Sequence, residues 1–241
     1  MEEKKDMRLN RYIAHSGICA RRKADIFIKE GFVSVNDKIE YAPGFRVKEG
    51  DVVKFKGKVI KPIVNKVYIL MNKPKNTITS VKDESGRKTV MDIIEKKVEE
   101  RVYPVGRLDR NTVGLLLLTN DGALAEKLSH PKYNIKKVYH VTLDRDVAEE
   151  HLNAIREGIT LEDGPVEVDG VDYYKGRDKN EIGIEIHIGR NRIVRRIFEH
   201  FDYNVKALDR VYYAGLTKKD LKRGWFRNLT EQEIVMLKHF T

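Results

Sequence analysis

The sequence predicts an α+β protein in two parts, and three observations carry that reading. Before Pro62 the pattern is a short helix, a turn, a second helix and then strands of a few residues each. After it, apolar strands and short helices interleave through to the C-terminus. Between the two, Lys61 to Lys66 (KPIVNK) reads as a linker: Pro62 argues against a continuous strand, and the polar residues mark a boundary. The expected domains are therefore residues 7–61 and 66–241.

Met1 to Asp6 is a charged tail expected to stay mobile. Leu9, Tyr12 and Ile13 recur at helical spacing, and Ser16-Gly17 breaks the pattern. Ala20, Ala24, Phe27 and Ile28 resume it, with Gly31 placed to end the helix. Strands follow at Phe32 to Val35, Arg46 to Val47 and Val52 to Phe55, divided by Asn36-Asp37, Glu49-Gly50-Asp51 and Gly57-Lys58. Arg21, Arg22 and Lys23 open the second helix. Three consecutive cations span much of a helix circumference, so at least two must face solvent; Arg8 and Arg11 add to the cluster. A lone charge run is usually a solvated face. This one sits on a small helical pair too polar to be a core element, and such units bind RNA through phosphate contacts.

The second part opens with the apolar strand Val67 to Met71 and then Asn72-Lys73-Pro74-Lys75. Asp83 to Thr89 reads as an exposed loop, and Val90 to Ile94 as a short helix that fades into the charged run Glu95 to Arg101. The chain is organised around Pro104 to Gly122, PVGRLDRNTVGLLLLTNDG. Asp109 is the one acidic residue between Pro104 and Leu118, and it sits in a polar turn between Arg107 and Arg110. Leu115 to Thr119 shows no polar alternation, so it reads as a strand buried on both faces. Asn120-Asp121-Gly122 is a turn signal. A carboxylate flanked by guanidiniums can serve as a nucleophile or a fixed anion. A surface loop with a local salt bridge has the same local appearance, and such pairs are weak.

Ala123 to Leu128 is a short helix, closed before Pro131. In the strand Lys136 to Leu143, Tyr139 shares a face with Lys137, Val141 and Leu143 and also reads as a packed core tyrosine. Val147 to Gly158 is an amphipathic helix, Leu161 to Asp172 a hairpin around Asp163-Gly164, and Ile182 to Ile188 a strand. Gly189-Arg190-Asn191-Arg192 starts a helix with Ile193, Val194, Ile197, Phe198 and Phe201 on its core face and Arg192, Arg195 and Arg196 around the other side. Ala207 to Tyr213 follows, and Thr230 with Glu233 forms a capping box for the last helix.

Composition narrows the function classes. The net charge of +10 suits an anionic partner without distinguishing RNA, DNA or a membrane. Residues 1–62 hold fifteen Lys/Arg against nine Asp/Glu, so positive charge concentrates there. Cys19, the only cysteine, excludes a disulfide framework and a cysteine-rich zinc site. Without a transmembrane-length apolar run or a signal-peptide core, the cytoplasm is the expected location. The glycines of residues 106–114 lack the spacing and lysine of a P-loop, which argues against an ATP-dependent helicase or kinase. His140 and His187 read as packed or hydrogen-bonded histidines rather than zinc ligands, and no metal or cofactor is expected.

GRLDRNTVGLLLLTNDG resembles the catalytic segment of the pseudouridine synthases, in the branch that modifies single sites in ribosomal RNA. Gly106, Arg107, Leu108, Asp109, Thr112, Gly114, Leu115, Leu116, Thr119, Asn120, Asp121 and Gly122 match it. Asn72-Lys73-Pro74 resembles the opening of the family's catalytic domain, Lys137-Val138-Tyr139 its K-x-Y, and GRNRIVRRIF its last motif. Leu208-Asp209-Arg210 resembles the branch's L-x-R. Ile193 stands where relatives often carry Gln or Glu. Met7 to Ile60 resembles the S4 RNA-binding domain, through Arg8-Leu9, Arg21-Arg22 with Ala24, Gly31 to Asn36 and Glu49 to Val53; Asp37 stands where that family often has Gly.

The resemblance implies a central, mostly antiparallel sheet flanked by helices in the second domain. It implies Asp109 as the essential aspartate and Arg195 as its salt-bridge partner. It also implies Tyr139 as the ring that stacks on the target base, and Arg107 as the group that extrudes the nucleotide or holds its phosphates. Arg8, Arg11, Arg21, Arg22, Lys23, Arg192, Arg196 and Arg210 are the expected RNA contacts. The implied activity is isomerisation of uridine to pseudouridine in bacterial ribosomal RNA, of the large subunit or alternatively the small. The expected partner is ribosomal RNA or a pre-ribosomal particle, with no membrane, no cofactor and a monomeric enzyme. A non-catalytic RNA-binding assembly factor on the same fold would leave Asp109 or Arg195 idle.

Overall fold

The computed structural model describes residues 6–62, 65–95 and 97–239. Most of the expected N-terminal tail (Met1 to Lys5), and Ile63 and Val64 of the linker, lie outside the described residues. The chain divides into two compact units, with the cut between Lys66 and Val67.

In the first unit, β1 (Met7–Arg8) leads into α1 (Leu9–His15) and then α2 (Arg21–Lys29). The strands β2 (Val33–Val35), β3 (Lys38–Ile39), β4 (Arg46–Val47), β5 (Val53–Phe55) and β6 (Lys58–Val59) follow. β3-β2-β5-β6 form one antiparallel sheet, and β1 pairs with β4. β1, β3 and β6, of two residues each, were not among the expected strands. Asn36 and Asp37, at φ +50° and +65°, make the left-handed two-residue turn that joins β2 to β3. Leu9, Ile13, Ala24, Ile28, Val33 and Val53 are fully buried and hold the helices to the sheet. Buried Asn10 ties the two helices together. Its Nδ2 donates to Asp25 Oδ1 at 2.7 Å, and its Oδ1 accepts from Arg21 Nε at 3.2 Å.

The second unit contains β7 (Tyr68–Lys73), α3 (Met91–Ile94), β8 (Tyr103–Pro104), β9 (Val113–Thr119), α4 (Gly122–Ser129) and β10 (Lys137–Leu143). Next come α5 (Glu149–Glu157), β11 (Ile159–Leu161), β12 (Gly164–Val166), β13 (Gly170–Tyr173), β14 (Glu181–Ile186) and α6 (Ile193–Glu199). β15 (Val205–Tyr213), β16 (Leu216–Thr217), β17 (Phe226–Asn228) and α7 (Glu231–His239) complete it. A nine-stranded sheet runs β13-β14-β10-β15-β9-β7-β17, with β8 on β9 and β16 on β15. Only the β15–β9 pair in it is parallel, so the sheet is mixed and mostly antiparallel.

Every residue of β9 is buried, as its unbroken apolar run requires. Leu116 and Leu118 belong to the core on one face of the sheet, Leu115 and Leu117 to the core on the other. Each fully buried leucine contributes roughly 1.5–3 kcal/mol of hydrophobic stabilisation. β9 thus gives the residues that precede it a fully buried support. Gly114 allows the close parallel pairing: at φ +106° a Cβ there would meet the Arg210 carbonyl oxygen at 2.3 Å.

Four elements depart from the sequence expectations. Asn120-Asp121-Gly122 is a strand-to-helix junction, in which Asp121 caps α4 by accepting from the amides of Ala123 (3.2 Å) and Leu124 (3.3 Å). The hairpin around Asp163 is shorter than expected, because Gly170–Tyr173 leaves it to pair with β14. Residues 189–192 precede α6 rather than start it, with Arg192 in the left-handed region at φ +49°. Arg195, expected on the polar side of that helix, faces inward and is 9 % exposed.

Candidate active site

The loop that carries Asp109 is fixed by contacts on both sides of that residue. Before it, Leu108 and Thr79 exchange two hydrogen bonds: Thr79 Oγ1 donates to the Leu108 carbonyl at 2.8 Å, and the Leu108 amide donates back at 3.2 Å. At and after it, the Lys73 ammonium at the end of β7 donates to the carbonyls of Asp109 (3.0 Å), Arg110 (3.3 Å) and Thr112 (2.8 Å). The Thr112 amide closes the turn onto the Asp109 carbonyl at 3.1 Å. Lys73 has no solvent exposure. Burial pushes it down to about 8 from its ordinary value, and the nearby Asp109 charge partly opposes that shift. A buried ammonium holding backbone carbonyls replaces the polar partners that an irregular loop would otherwise lack.

Asp109 lines a cavity of about 200 Å³ together with Arg107, Lys137, Tyr139, Arg192, Leu208 and Arg210. Its carboxylate is 40 % exposed. The guanidiniums that approach it come from the α6 region and not from its sequence neighbours. Arg192 Nη1 lies 3.9 Å and Arg195 Nε 4.0 Å from Asp109 Oδ2. Among the described residues no ion pair joins Asp109 to Arg107 or Arg110, which corrects the local Arg-Asp-Arg cluster that the sequence suggested. Arg195 is anchored by its Nη1, which donates to the Val205 carbonyl at 2.9 Å. Its Nε is buried without a hydrogen-bond partner. Burial and the charge of Arg192 lower the Arg195 pKa, while Asp109 and Glu199 oppose that shift. A contraction of about 1 Å between Arg195 and Asp109 would turn this ion pair into a charge-assisted hydrogen bond.

Tyr139 is buried in β10 and lines the cavity. A register shift between Val138 and Tyr139 in the β10–β15 pairing re-aims the strand at this position, a common use of a bulge beside a site. Lys137 donates to the carbonyls of Ile135 (2.8 Å) and His187 (2.6 Å), which joins β10 to the segment after β14. Burial and then the Arg210 charge push Lys137 down to about 8. Arg107 is exposed at the point where this cavity meets a second groove of about 600 Å³, lined also by Thr79, Lys82, Arg87, Arg110 and Asn191.

The remaining expected contacts separate into three groups. Arg8, Arg21, Arg22 and Lys23 are exposed and Arg11 half-buried, all in the first unit; Lys23 lies over the Phe27 ring. Arg196 is engaged within the protein: both its terminal nitrogens donate to Asp163, at 2.6 and 2.9 Å. That pair holds the Asp163 carboxyl at about 2. Arg210 is 3 % exposed. Its Nε donates to the Leu115 carbonyl at 2.7 Å and its guanidinium lies 4.5 Å from the Tyr213 ring centroid, so it forms a cavity wall and not a surface contact. Sequence reasoning did not assign roles to Lys73, Thr79 or Asp163. The signal for Lys73 was present, since a lysine that ends an apolar strand must find buried partners or leave the strand.

Residues 67–200 match the family model described as RNA pseudouridylate synthase. The chain belongs to the RNA pseudouridine synthase family. This synthase is an isomerase, and its residues 7–53 match the S4 domain. It is 41 % identical over 234 residues to the ribosomal large subunit pseudouridine synthase B of Bacillus subtilis, covering 96 % of this chain and 95 % of that relative. It is 36 % identical to the dual-specificity RNA pseudouridine synthase RluF of Escherichia coli K12, covering 96 % of this chain and 78 % of RluF. Among solved structures, a pseudouridylate synthase crystal structure superposes with a TM-score of 0.70 at 28 % identity, covering 96 % of this chain and 99 % of that one.

Proposed function

We propose that this synthase converts a single uridine of bacterial large-subunit ribosomal RNA to pseudouridine, with Asp109 as its catalytic carboxylate. One observation carries the reading: the Asp109 carboxylate stands in the cavity wall with Tyr139, and Arg195 lies 4.0 Å away. The Bacillus relative named for the ribosomal large subunit supports the substrate class.

The reaction breaks the bond between C1′ and N1 of uridine and forms one between C1′ and C5. A proton leaves C5 and one is taken up at N1, so substrate and product are isomers. Asp109 supplies negative charge at the sugar or base while the two are apart, either as a nucleophile or as a fixed anion. Arg195, tethered through the Val205 carbonyl, aims that carboxylate and balances its charge. Tyr139 stacks on the uracil, and its hydroxyl serves proton transfer. Arg107, exposed at the mouth, holds the phosphates of a nucleotide that has left its helix stack. Arg8, Arg11, Arg21, Arg22 and Lys23 of the S4 unit add salt-dependent affinity for a structured RNA.

Mapping pseudouridines in ribosomal RNA from cells with and without the gene tests the reading. The expected result is loss of one large-subunit site in the deleted strain, restored by the parent gene. An unchanged large-subunit map would contradict it.

A further inference from the structure

Trp225 is the only tryptophan of the chain and is 64 % exposed. Scattered exposed apolar residues are ordinary, but this one is presented on a fixed backbone. Its amide donates to the Lys222 carbonyl at 3.0 Å, and its carbonyl accepts from the Asn72 amide at 3.0 Å. The Gly224 amide donates to the Asn72 carbonyl at 2.8 Å, and Asn72 Nδ2 donates to the Leu221 carbonyl at 2.8 Å. The whole turn is therefore sewn to Asn72, the neighbour of the lysine that holds the Asp109 loop. Register fixes the location: Phe226 pairs with Met71, and Lys73 with Gly114. The turn lies at the end of the sheet that carries Asp109.

The surroundings are cationic. Lys218 to Arg227 contains five Lys/Arg and one acid, Asp220. Lys218 and Arg223 are paired with Asp209, and Arg227 with Glu233. Lys219 and Lys222 are exposed, and among the described residues neither has an ion-pair partner. The indole likewise has no aromatic or cationic neighbour there. A rigidly presented, unpartnered aromatic ring beside unpaired cations is the composition of a surface that stacks an unpaired base and holds its phosphate.

We infer that the turn from Lys218 to Trp225 is a second RNA contact of this synthase, in which Trp225 stacks on an unpaired nucleotide flanking the modified site and Lys219 and Lys222 bind the adjacent phosphates. The inference rests on ribosomal RNA being the substrate, and its test reads the two separately.

Because no other tryptophan is present, indole fluorescence reports this turn alone. The full-length protein is titrated with a large-subunit ribosomal RNA transcript, with binding followed independently by anisotropy of the labelled RNA and modification scored in the same samples. The expected result is quenching of Trp225 as the RNA saturates. Trp225→Ala should bind about tenfold more weakly, with Trp225→Phe recovering most of the loss. Lys219→Gln with Lys222→Gln should lower the salt slope by up to about 2. Circular dichroism checks the fold of each variant. Unquenched Trp225 at saturating RNA, or an unchanged Kd for Trp225→Ala, overturns the inference. Continued modification of the transcript in that case leaves the substrate reading standing.

Discussion

Lys73 holds Asp109 by its backbone: the buried ammonium lies 3.0 Å from the Asp109 carbonyl oxygen and 2.8 Å from that of Thr112. The carboxylate is left to the cavity, while the chain beneath it is clamped. Lys73→Met keeps the apolar stem and removes the donor. It should cost roughly 3 kcal/mol of stability, since each buried carbonyl left unpaired costs about 1–3 kcal/mol. It should slow single-turnover pseudouridine formation far more than it weakens RNA binding. Denaturant midpoints with single-turnover rates check both. An unchanged rate would show that the loop holds its shape without this clamp.

The same lysine gives stability a definite pH dependence. In the fold, burial pushes it down to about 8, against an ordinary value of 10.5. Between those values the unfolded chain binds the proton that the folded chain has released, so stability rises with pH across that window. The cost of burying the ammonium is thus fully present below about pH 8. From about pH 7.5 to about pH 9.5 the parent should gain about 1–2 kcal/mol over Lys73→Met. Urea midpoints of the two proteins measured across that range should diverge. Parallel curves would contradict the assignment.

Much of this site could be read from the sequence because its parts lie in contiguous motifs. The uninterrupted apolar run ahead of Thr119 announced a doubly buried strand, and the residue before that run had to sit at its edge. Local patterning did not show which cations meet Asp109, although the likeness of GRNRIVRRIF to the family's last motif implied Arg195 as one of them. Arg107 and Arg110 are its neighbours in the chain, yet Arg192 and Arg195 reach it through the packing of α6 against the sheet. Lys73 showed only that it must find buried partners at the end of an apolar strand; which partners stayed hidden, since they are backbone carbonyls, which leave no trace in side-chain identity. Arg210 was singled out by the likeness of Leu208-Asp209-Arg210 to the branch's L-x-R; its bond to the Leu115 carbonyl and its approach to the Tyr213 ring accompany its burial.

Asp163 gathers Arg196 and Arg190 and so ties the turn between β11 and β12 to α6 and to the loop before it. Arg190 also donates to the carbonyls of Gly164 (3.2 Å) and Pro165 (2.8 Å). Asp163→Asn loses the two-pronged pair with Arg196 and should lower the rate several-fold with little change in the denaturant midpoint. Kinetics of the variant, alongside a melt, check this. A rate equal to the parent's would mean that the Arg190 bonds alone hold the hairpin.

Gly114 is a packing requirement. A Cβ would meet the Arg210 carbonyl oxygen at 2.3 Å and Asp209 Oδ1 at 2.5 Å, on a backbone at φ +106°. Gly114→Ala should therefore break the β9–β15 pairing and cost several kcal/mol, combining strain with overpacking. Soluble yield and thermal midpoint report it. A midpoint within a degree or two of the parent's would show that the two strands can separate without loss.

The central claim is that the Asp109 carboxylate performs the chemistry, with Arg195 acting on it. Asp109→Asn keeps the shape and removes both the charge and the nucleophile. Arg195→Met should impair the reaction, and the double variant should be no worse than Asp109→Asn alone, because the two residues work as one unit. The most direct measurement is single-turnover pseudouridine formation by Asp109→Asn, scored by mass spectrometry on a ribosomal RNA that the parent modifies, with circular dichroism and RNA affinity taken on the same preparation. The expected result is a folded protein that binds RNA with nearly parental affinity and forms no detectable pseudouridine. A folded Asp109→Asn protein that modifies the RNA at near the parental rate would contradict it.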